Sequence, residues 1–486
     1  MRLHLLAAAV GLTLVLAGCA SSGGLHPDGT PIDPSSLKAE RSLANVQVSA
    51  AAWPQTDWWT GLGDPQLNAL IAEALQDNPT LAVADARARG AQAEAGAADA
   101  ARQPTLNVGA SIAEARLPTT LPPLGNGHTA PAKYVYGSFK WDLDVWGGQR
   151  AAWESALGQA RAAQIDAQAA RIELSTNVAR AYVQLGYAYA QQDVAAAELQ
   201  RATEARDLTQ QRVAAGIDNQ MQLKQSDSEV ASAQGQKAVA DRAIDAARSA
   251  LSVLLGKGPD RGLDIARPHL VPSDALSVPA NVSVELVGHR ADLVAARWRV
   301  EAAGKDIKSA KARFLPDVNI GAMAGLIALG GGNLFQMPAR FYEVAPAISL
   351  PIFDGGRLRA NLNGKDAQYD LAVAQYNQTM IGALNEVSDD YDAINSLQQQ
   401  VDAEQRALDA ANDAWKLAEQ RYKAGIGSYL EALSVRQQLL ASEQRMAALH
   451  AQQTDLSVQL IQALGGGYRP QAGDADVSVT SSSHRS

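Results

Sequence analysis

One residue in this sequence is placed for covalent chemistry, and the remaining candidates argue against catalysis. Cys19 is the only cysteine among 486 residues, which excludes an intramolecular disulfide framework. It closes Leu16-Ala17-Gly18-Cys19, behind the basic Arg2 and an apolar stretch over 3–17. That layout resembles a bacterial lipobox, in which the chain is cut before the cysteine and its sulfur carries a diacylglycerol. A transmembrane helix is the weaker reading because 3–17 is short for a bilayer; an ordinary signal peptide with an incidental cysteine is the other alternative. Ala20, not an acidic residue, follows, which resembles an outer-membrane address. The seven His make no His-Glu-x-x-His pattern, and one Cys cannot make Cys-x-x-Cys. Gly330-Gly331-Gly332 lacks the following Lys-Ser/Thr of a phosphate loop, and six Met form no soft-metal ladder. The sequence predicts no enzyme and no cofactor beyond the lipid on Cys19.

The elements that must position these residues come in two copies. Gln211-Arg212-Val213-Ala214-Ala215-Gly216-Ile217 matches Gln420-Arg421-Tyr422-Lys423-Ala424-Gly425-Ile426 at an offset of 209. Leu143-Asp144-Val145-Trp146-Gly147-Gly148 matches Leu350-Pro351-Ile352-Phe353-Asp354-Gly355 at an offset of 207. Pro104 and Pro316 stand 23 residues after Leu81 and Leu293. Matches in one order mean a duplicated unit. The expected domains are a signal segment 1–18, a lipid-anchored segment 19–64, a first repeat 65–256, a linker 257–283, a second repeat 284–468 and a disordered tail 469–486.

Each repeat reads as a helix (65–102, broken near Asn78-Pro79; 284–314), a pair of strands, then a long helix (151–213; 358–423) and a returning one (220–255; 429–464). In 105–112, Leu106, Val108, Ala110 and Ile112 alternate with polar positions; in 138–145, Phe139, Trp141, Leu143 and Val145 alternate with Ser138, Lys140, Asp142 and Asp144. Val318, Ile320, Ala322, Ala324 and Leu326 continue the pattern in the second repeat. Alternation of period two predicts strands with one apolar and one polar face. Such strands fit a membrane barrel, whose lumen Lys140, Asp142 and Asp144 would line; a soluble two-sided sheet gives the same pattern. Four strands cannot close a barrel, and an open edge cannot sit in lipid, so barrel strands would have to be pooled between chains. The hairpin tips are expected at 117–131 and 329–338. At 1.5 Å per residue, the helix over 151–213 would extend about 95 Å, and its stripe needs partner helices. The Ala-rich composition suits close helix packing. A net charge of -9 argues against nucleic acid.

Lipobox, duplication and motifs together resemble the TolC/OprM outer-membrane efflux factors, in particular their lipoprotein (NodT-type) branch. Trp58-Trp59, Asp64-Pro65-Gln66-Leu67 and Asn78-Pro79 are similar to that branch's opening motif, and Leu350-Pro351-Ile352-Phe353-Asp354-Gly355-Gly356 to its fourth-strand exit. The resemblance implies a mainly α fold with a membrane β-barrel: a homotrimer, twelve strands, and a periplasmic tunnel of long antiparallel helices. It implies an exit duct for small toxic compounds, partnered by a periplasmic adaptor and a proton-driven inner-membrane transporter. It places adaptor docking at the helical tips, Arg212, Gly216, Ile217, Arg421, Gly425 and Ile426, although helix termination alone explains the two Gly. It also puts an iris near this end. Asp413, Lys416 and Glu419, at i, i+3 and i+6, are gate candidates, with a solvated helix face as the plain alternative. An exit channel for protein secretion and a poreless coiled-coil lipoprotein are the other readings.

Overall fold

In the computed structural model the described residues are 21–37, 53–116, 129–269 and 288–471, with Thr119, Leu286 and Asp474. Cys19, most of the first hairpin tip, the linker beyond 269 and most of the tail lie outside them. The elements run α1 (Pro65–Asp77), α2 (Pro79–Ala100), β1 (Thr105–Arg116), β2 (Thr129–Leu143), α3 (Gly148–Ala214), α4 (Gln220–Leu254), α5 (Asp260–Leu263), α6 (Ala291–Ala312), β3 (Asp317–Leu329), β4 (Arg340–Ser349), α7 (Arg357–Lys423) and α8 (Tyr429–Ala463). Related helices match in length: 22 residues in α2 and α6, 67 in α3 and α7, 35 in α4 and α8.

The chain divides into two compact units. The first, from Arg87–Ala163 and Ala295–Asn377 with the N-terminal stretch, contains one antiparallel sheet in the order β1-β2-β3-β4. Its register sorts the side chains. Leu106 faces Phe139, which faces Ala322, which faces Val344; Trp141 faces Ile320; Val318 faces Ile348. These share one apolar face, bounded toward the hairpin tips by Lys133 and Arg340. Asn107, Ser138, Met323 and Glu343 form one row of the other face, with Lys140 and Asp142 nearby. Val318 to Leu326 covers about 26 Å of strand, close to the height of a lipid-facing band. The strands outrun their expected bounds: β2 begins at Thr129 because ladder pairing continues to Arg116, and 129–131 belong to strand, not to tip. Below the sheet, Ile307, Ala310 and Phe314 of α6 pack on Leu358 and Leu362 of α7.

One expectation is corrected here. Asp144 is not on the strand: β2 ends at Leu143. Its carboxylate accepts the N–H of Gln149 at 2.9 Å and of Arg150 at 2.7 Å, capping α3, whose first-turn N–H groups have no helical partner. Its counterpart is Asp354, which accepts from Gly356 and Leu358 at the start of α7. The 207-residue matching of the strand exits is therefore shifted; the long helices themselves are 209 apart, because the connection over 350–356 is longer than that over 144–147.

The second unit holds most of both helical hairpins. Its core packs Leu67, Leu70 and Ile71 of α1 against Val178, Tyr182 and Leu185 of α3 and Leu251 of α4. Pro65 at the first turn and Asp64 as cap start α1. Asn78 breaks it from α2, its amide donating to the Leu254 carbonyl at 2.6 Å. The linker begins as packed structure: Ile265 is buried, and the His269 N–H donates to Asp64.

Candidate functional site

Both helical turns of the second unit are built alike. Gly216 and Gly425 adopt φ of 72° and 77°, the left-handed conformation that ends a helix without a side-chain clash. The N–H groups of Ile217 and Ile426 donate back to the Arg212 and Arg421 carbonyls at 2.9 and 3.0 Å. Asn219 and Ser428 then cap the returning helices, Asn219 in a capping box with Gln222. Such closure makes each tip rigid, and on it stand exposed apolar knobs: Ile217 and Met221 on the first, Ile426 and Leu430 on the second.

The charges break this symmetry. Arg212 donates to Asp218 through Nε at 2.8 Å and Nη2 at 3.2 Å. Its Nη1 reaches across to the Tyr422 carbonyl at 3.0 Å, and its guanidinium lies 4.6 Å from the Tyr422 ring centre. The Tyr422 hydroxyl donates to Asp218 at 2.8 Å and lies 3.1 Å from Thr209 Oγ1. These bonds tie the first hairpin to the second. The hydrogen bond from Arg212 holds Asp218 below the usual carboxylate range, and burial beside Asp218 pushes the Tyr422 phenol up to about 12. Tyr422 also packs on Tyr429 in a cluster with Trp415 and Leu208. Further along, Arg436 of α8 ion-pairs with Glu198 of α3 at 3.1 Å and with Glu229 of α4 at 3.1 Å, and Arg201 donates to Glu443. Burial pushes Glu198 up, against the pull of Arg436 and Arg201.

Arg421 stands in the slot of Arg212 but has Gly427 where the first tip has Asp218. It is exposed and 3.8 Å from Glu431. The gate candidates do not converge: Lys416 reaches Asp413 at 3.5 Å, both largely exposed, while Glu419 pairs with Lys423 at 3.0 Å. On the sheet, Lys140 pairs with Asp142 at 3.2 Å. Asp218, Thr209 and Tyr422 were not singled out as a site from sequence. The signal was present in the duplication: among the three places where the aligned tips differ, Val213 faces Tyr422 and Asp218 faces Gly427. Among the described residues no group of His, Cys, Asp or Glu could hold a metal, and no helix is long and apolar enough to cross a membrane.

The family model described as "Outer membrane efflux protein" matches residues 70–257 and 282–466. The chain belongs to this family. It is 30% identical over 475 residues to the multidrug resistance outer membrane protein MdtP of Escherichia coli K12, covering 96% of each chain. It is 36% identical over 375 residues to the fusaric acid resistance protein FusA of Burkholderia cepacia, covering 74% of this chain and 69% of that one. The crystal structure of the outer membrane protein VceC of Vibrio cholerae superposes with a TM-score of 0.80 at 36% identity, covering 86% of this chain and all of that one. This efflux protein is thus an outer-membrane channel subunit that acts as a homotrimer with a twelve-stranded barrel and a periplasmic helical tunnel. It works with a periplasmic adaptor and an inner-membrane transporter. The open edges of the four-stranded sheet have their reason here: three copies supply the partners that β1 and β4 lack.

Proposed function

We propose that this efflux protein is a passive duct without a catalytic step, gated by the Arg212–Asp218–Tyr422 clasp. The clasp carries the reading, because it is the place where buried charge joins the two hairpins next to their turns. The polar sheet face, with Lys140 and Asp142, lines the water path, and the apolar face meets lipid. The knobs Ile217, Met221, Ile426 and Leu430, with Arg421, form the surface for the adaptor: the closed turns present apolar side chains that the described residues leave exposed. Diacylglycerol on Cys19 tethers the chain, and the partner transporter supplies proton-driven energy. Relatives named for multidrug and fusaric acid resistance favour small toxic compounds over the protein-secretion alternative. The test pairs two measurements. Purified trimers should form channels in planar bilayers, and a strain lacking the gene, with its pump intact, should become sensitive to small toxic compounds. No channel, or unchanged sensitivity across a broad panel, would refute the reading.

A further inference from the structure

The two strand hairpins are equivalent, and the ladder between them is a template for a contact that one chain cannot make. Thr105 of β1 opens the first hairpin opposite Lys140, and Asp317 of β3 opens the second opposite Ser349. Each follows a proline, Pro104 or Pro316. Thr105 thus corresponds to Asp317 and Lys140 to Ser349. β2 continues three residues past Lys140, beyond the reach of β1, because β3 pairs with it as far as Leu143–Val318. The equivalent residues after Ser349 are Leu350, Pro351 and Ile352. They have no strand opposite them among the described residues, and β4 stops at Ser349. Leu350 and Ile352 nevertheless keep the alternation of the apolar face, and both are exposed.

We propose that β4 takes β1 of a second copy in the register in which β2 takes β3, and that 350–352 become strand on assembly. The pair Leu143–Val318 then becomes Ile352 with Leu106 of the partner subunit. Likewise Gly137–Ala324 becomes Pro346 with Ile112 of the partner subunit, and Lys133–Ala328 becomes Tyr342 with Arg116 of the partner subunit. Apolar positions stay on one face across the junction, which a slip of one residue would reverse. The prolines fit. The Gly330 N–H donates to the Pro131 carbonyl, so odd positions of β2 aim their backbone groups at β3. Even positions of β4 stand in those places and aim at the partner subunit. Pro351 is odd: its missing N–H lies on the side where β3 has already ended, so the new ladder loses nothing there. Pro346 is even and removes one bond, opposite Ile112. Three such head-to-tail contacts close the ring. Asp354, which caps α7, stands two residues beyond Ile352, so the subunit contact ends where the tunnel helix begins. The register rests on the trimeric barrel and not on the clasp.

The experiment is disulfide trapping in outer membranes that carry the full chain, with native gels first confirming that each variant assembles as a trimer. Facing residues of a non-hydrogen-bonded pair have Cα atoms about 4.5 Å apart, within disulfide reach. The register makes Ser111–Ala347 and Ala113–Ala345 such pairs between subunits. Ser111→Cys with Ala347→Cys, and Ala113→Cys with Ala345→Cys, should therefore give covalent trimers under copper phenanthroline, seen on non-reducing gels. Exchanging the partners, Ser111→Cys with Ala345→Cys and Ala113→Cys with Ala347→Cys, uses the same four sites two residues out of register. Those diagonal neighbours stand about 7–8 Å apart, and the exchanged variants should stay largely monomeric on the same gels. Asn107→Cys with Pro351→Cys probes the added strand and should link like the in-register pairs. The single substitutions, which leave Cys19 as the other cysteine, set the background. Better linking by an exchanged pair than by an in-register pair overturns the register, as does no linking by either in-register pair in assembled trimers. Linking at Ser111–Ala347 without linking at Asn107–Pro351 overturns the strand extension.

Discussion

Replacing Asp218 by Ala removes the acceptor that Arg212 and Tyr422 share. Asp218 and Arg212 are only 6% and 11% exposed at their side chains, so water does not readily replace what is lost. A hydrogen bond to a charged group contributes about 1.5–3 kcal/mol, and breaking a fully buried pair costs about 3–5 kcal/mol. Arg212 keeps its bond to the Tyr422 carbonyl, which places the loss near the lower figure, about 2 kcal/mol per clasp. Each protomer's tip equilibrium should then shift toward the released state about 30-fold. Tyr422→Phe, which removes the phenolic donor and leaves the ion pair, should shift it about fivefold. The assay is single-channel conductance in planar bilayers, with trimer content and thermal unfolding measured on the same preparation. Intact Asp218→Ala trimers with wild-type conductance and open time would refute the clasp as a gate. The pH dependence has a definite sign. The folded-state pKa of Asp218 is lowered, so its contribution is present above the ordinary carboxylate range and is lost as pH falls through the lowered value. Acid should therefore open wild-type channels and leave Asp218→Ala unaffected.

Three other predictions follow from buried groups and the anchor. Asp64 accepts hydrogen bonds from Gln66, Tyr182 and the His269 N–H, so Asp64→Ala should cost about 2–4 kcal/mol, read as a lower unfolding temperature of the trimer. Burial, with Glu386 and Asp389 nearby, raises Asp390 to about 6 against the pull of Arg180 and Arg290; the folded state then holds the extra proton, so stability should fall as pH rises from about 4 to 6, and Asp390→Asn should flatten that slope in pH-dependent melting. Cys19→Ser should abolish acylation seen by mass spectrometry, yet the trimers that assemble should conduct normally, since the barrel holds itself in lipid.

The parts legible in the sequence were those with a short period. Alternation over Leu106, Val108 and Ile112 gave the strand faces, because successive strand side chains point to opposite sides. Matching the two tip motifs gave the 209-residue offset that the long helices keep. Strand ends were misjudged where pairing, not residue type, decides: Pro131 and Thr129 look like turn residues but lie in the ladder with β1. Asp144 was misplaced for a related reason, since its role as a cap depends on where α3 begins. The gate candidates had helical spacing alone behind them. Asp413, Lys416 and Glu419 share a side of α7, but spacing carries no word on what that side faces. The clasp joins residues 204 positions apart, a separation that no local pattern encodes.

The duplication explains why the clasp could be built at all. Two copies of the first tip would carry Val in the slot of Tyr422, and no phenol would reach the Asp218 carboxylate. Here the copies have diverged at complementary places: the first tip keeps the carboxylate of Asp218, the second carries the phenol of Tyr422 where the first has Val213. A Cβ on Gly427 would lie 3.0 Å from the Arg421 Cβ and 3.1 Å from the Tyr422 N, so an aspartate there would need its neighbours to give by a few tenths of an ångström. Arg421, with no carboxylate in the slot of Asp218, stays at the surface, 3.8 Å from Glu431. One arginine therefore joins the two hairpins, while its duplicate pairs within its own tip and stays exposed.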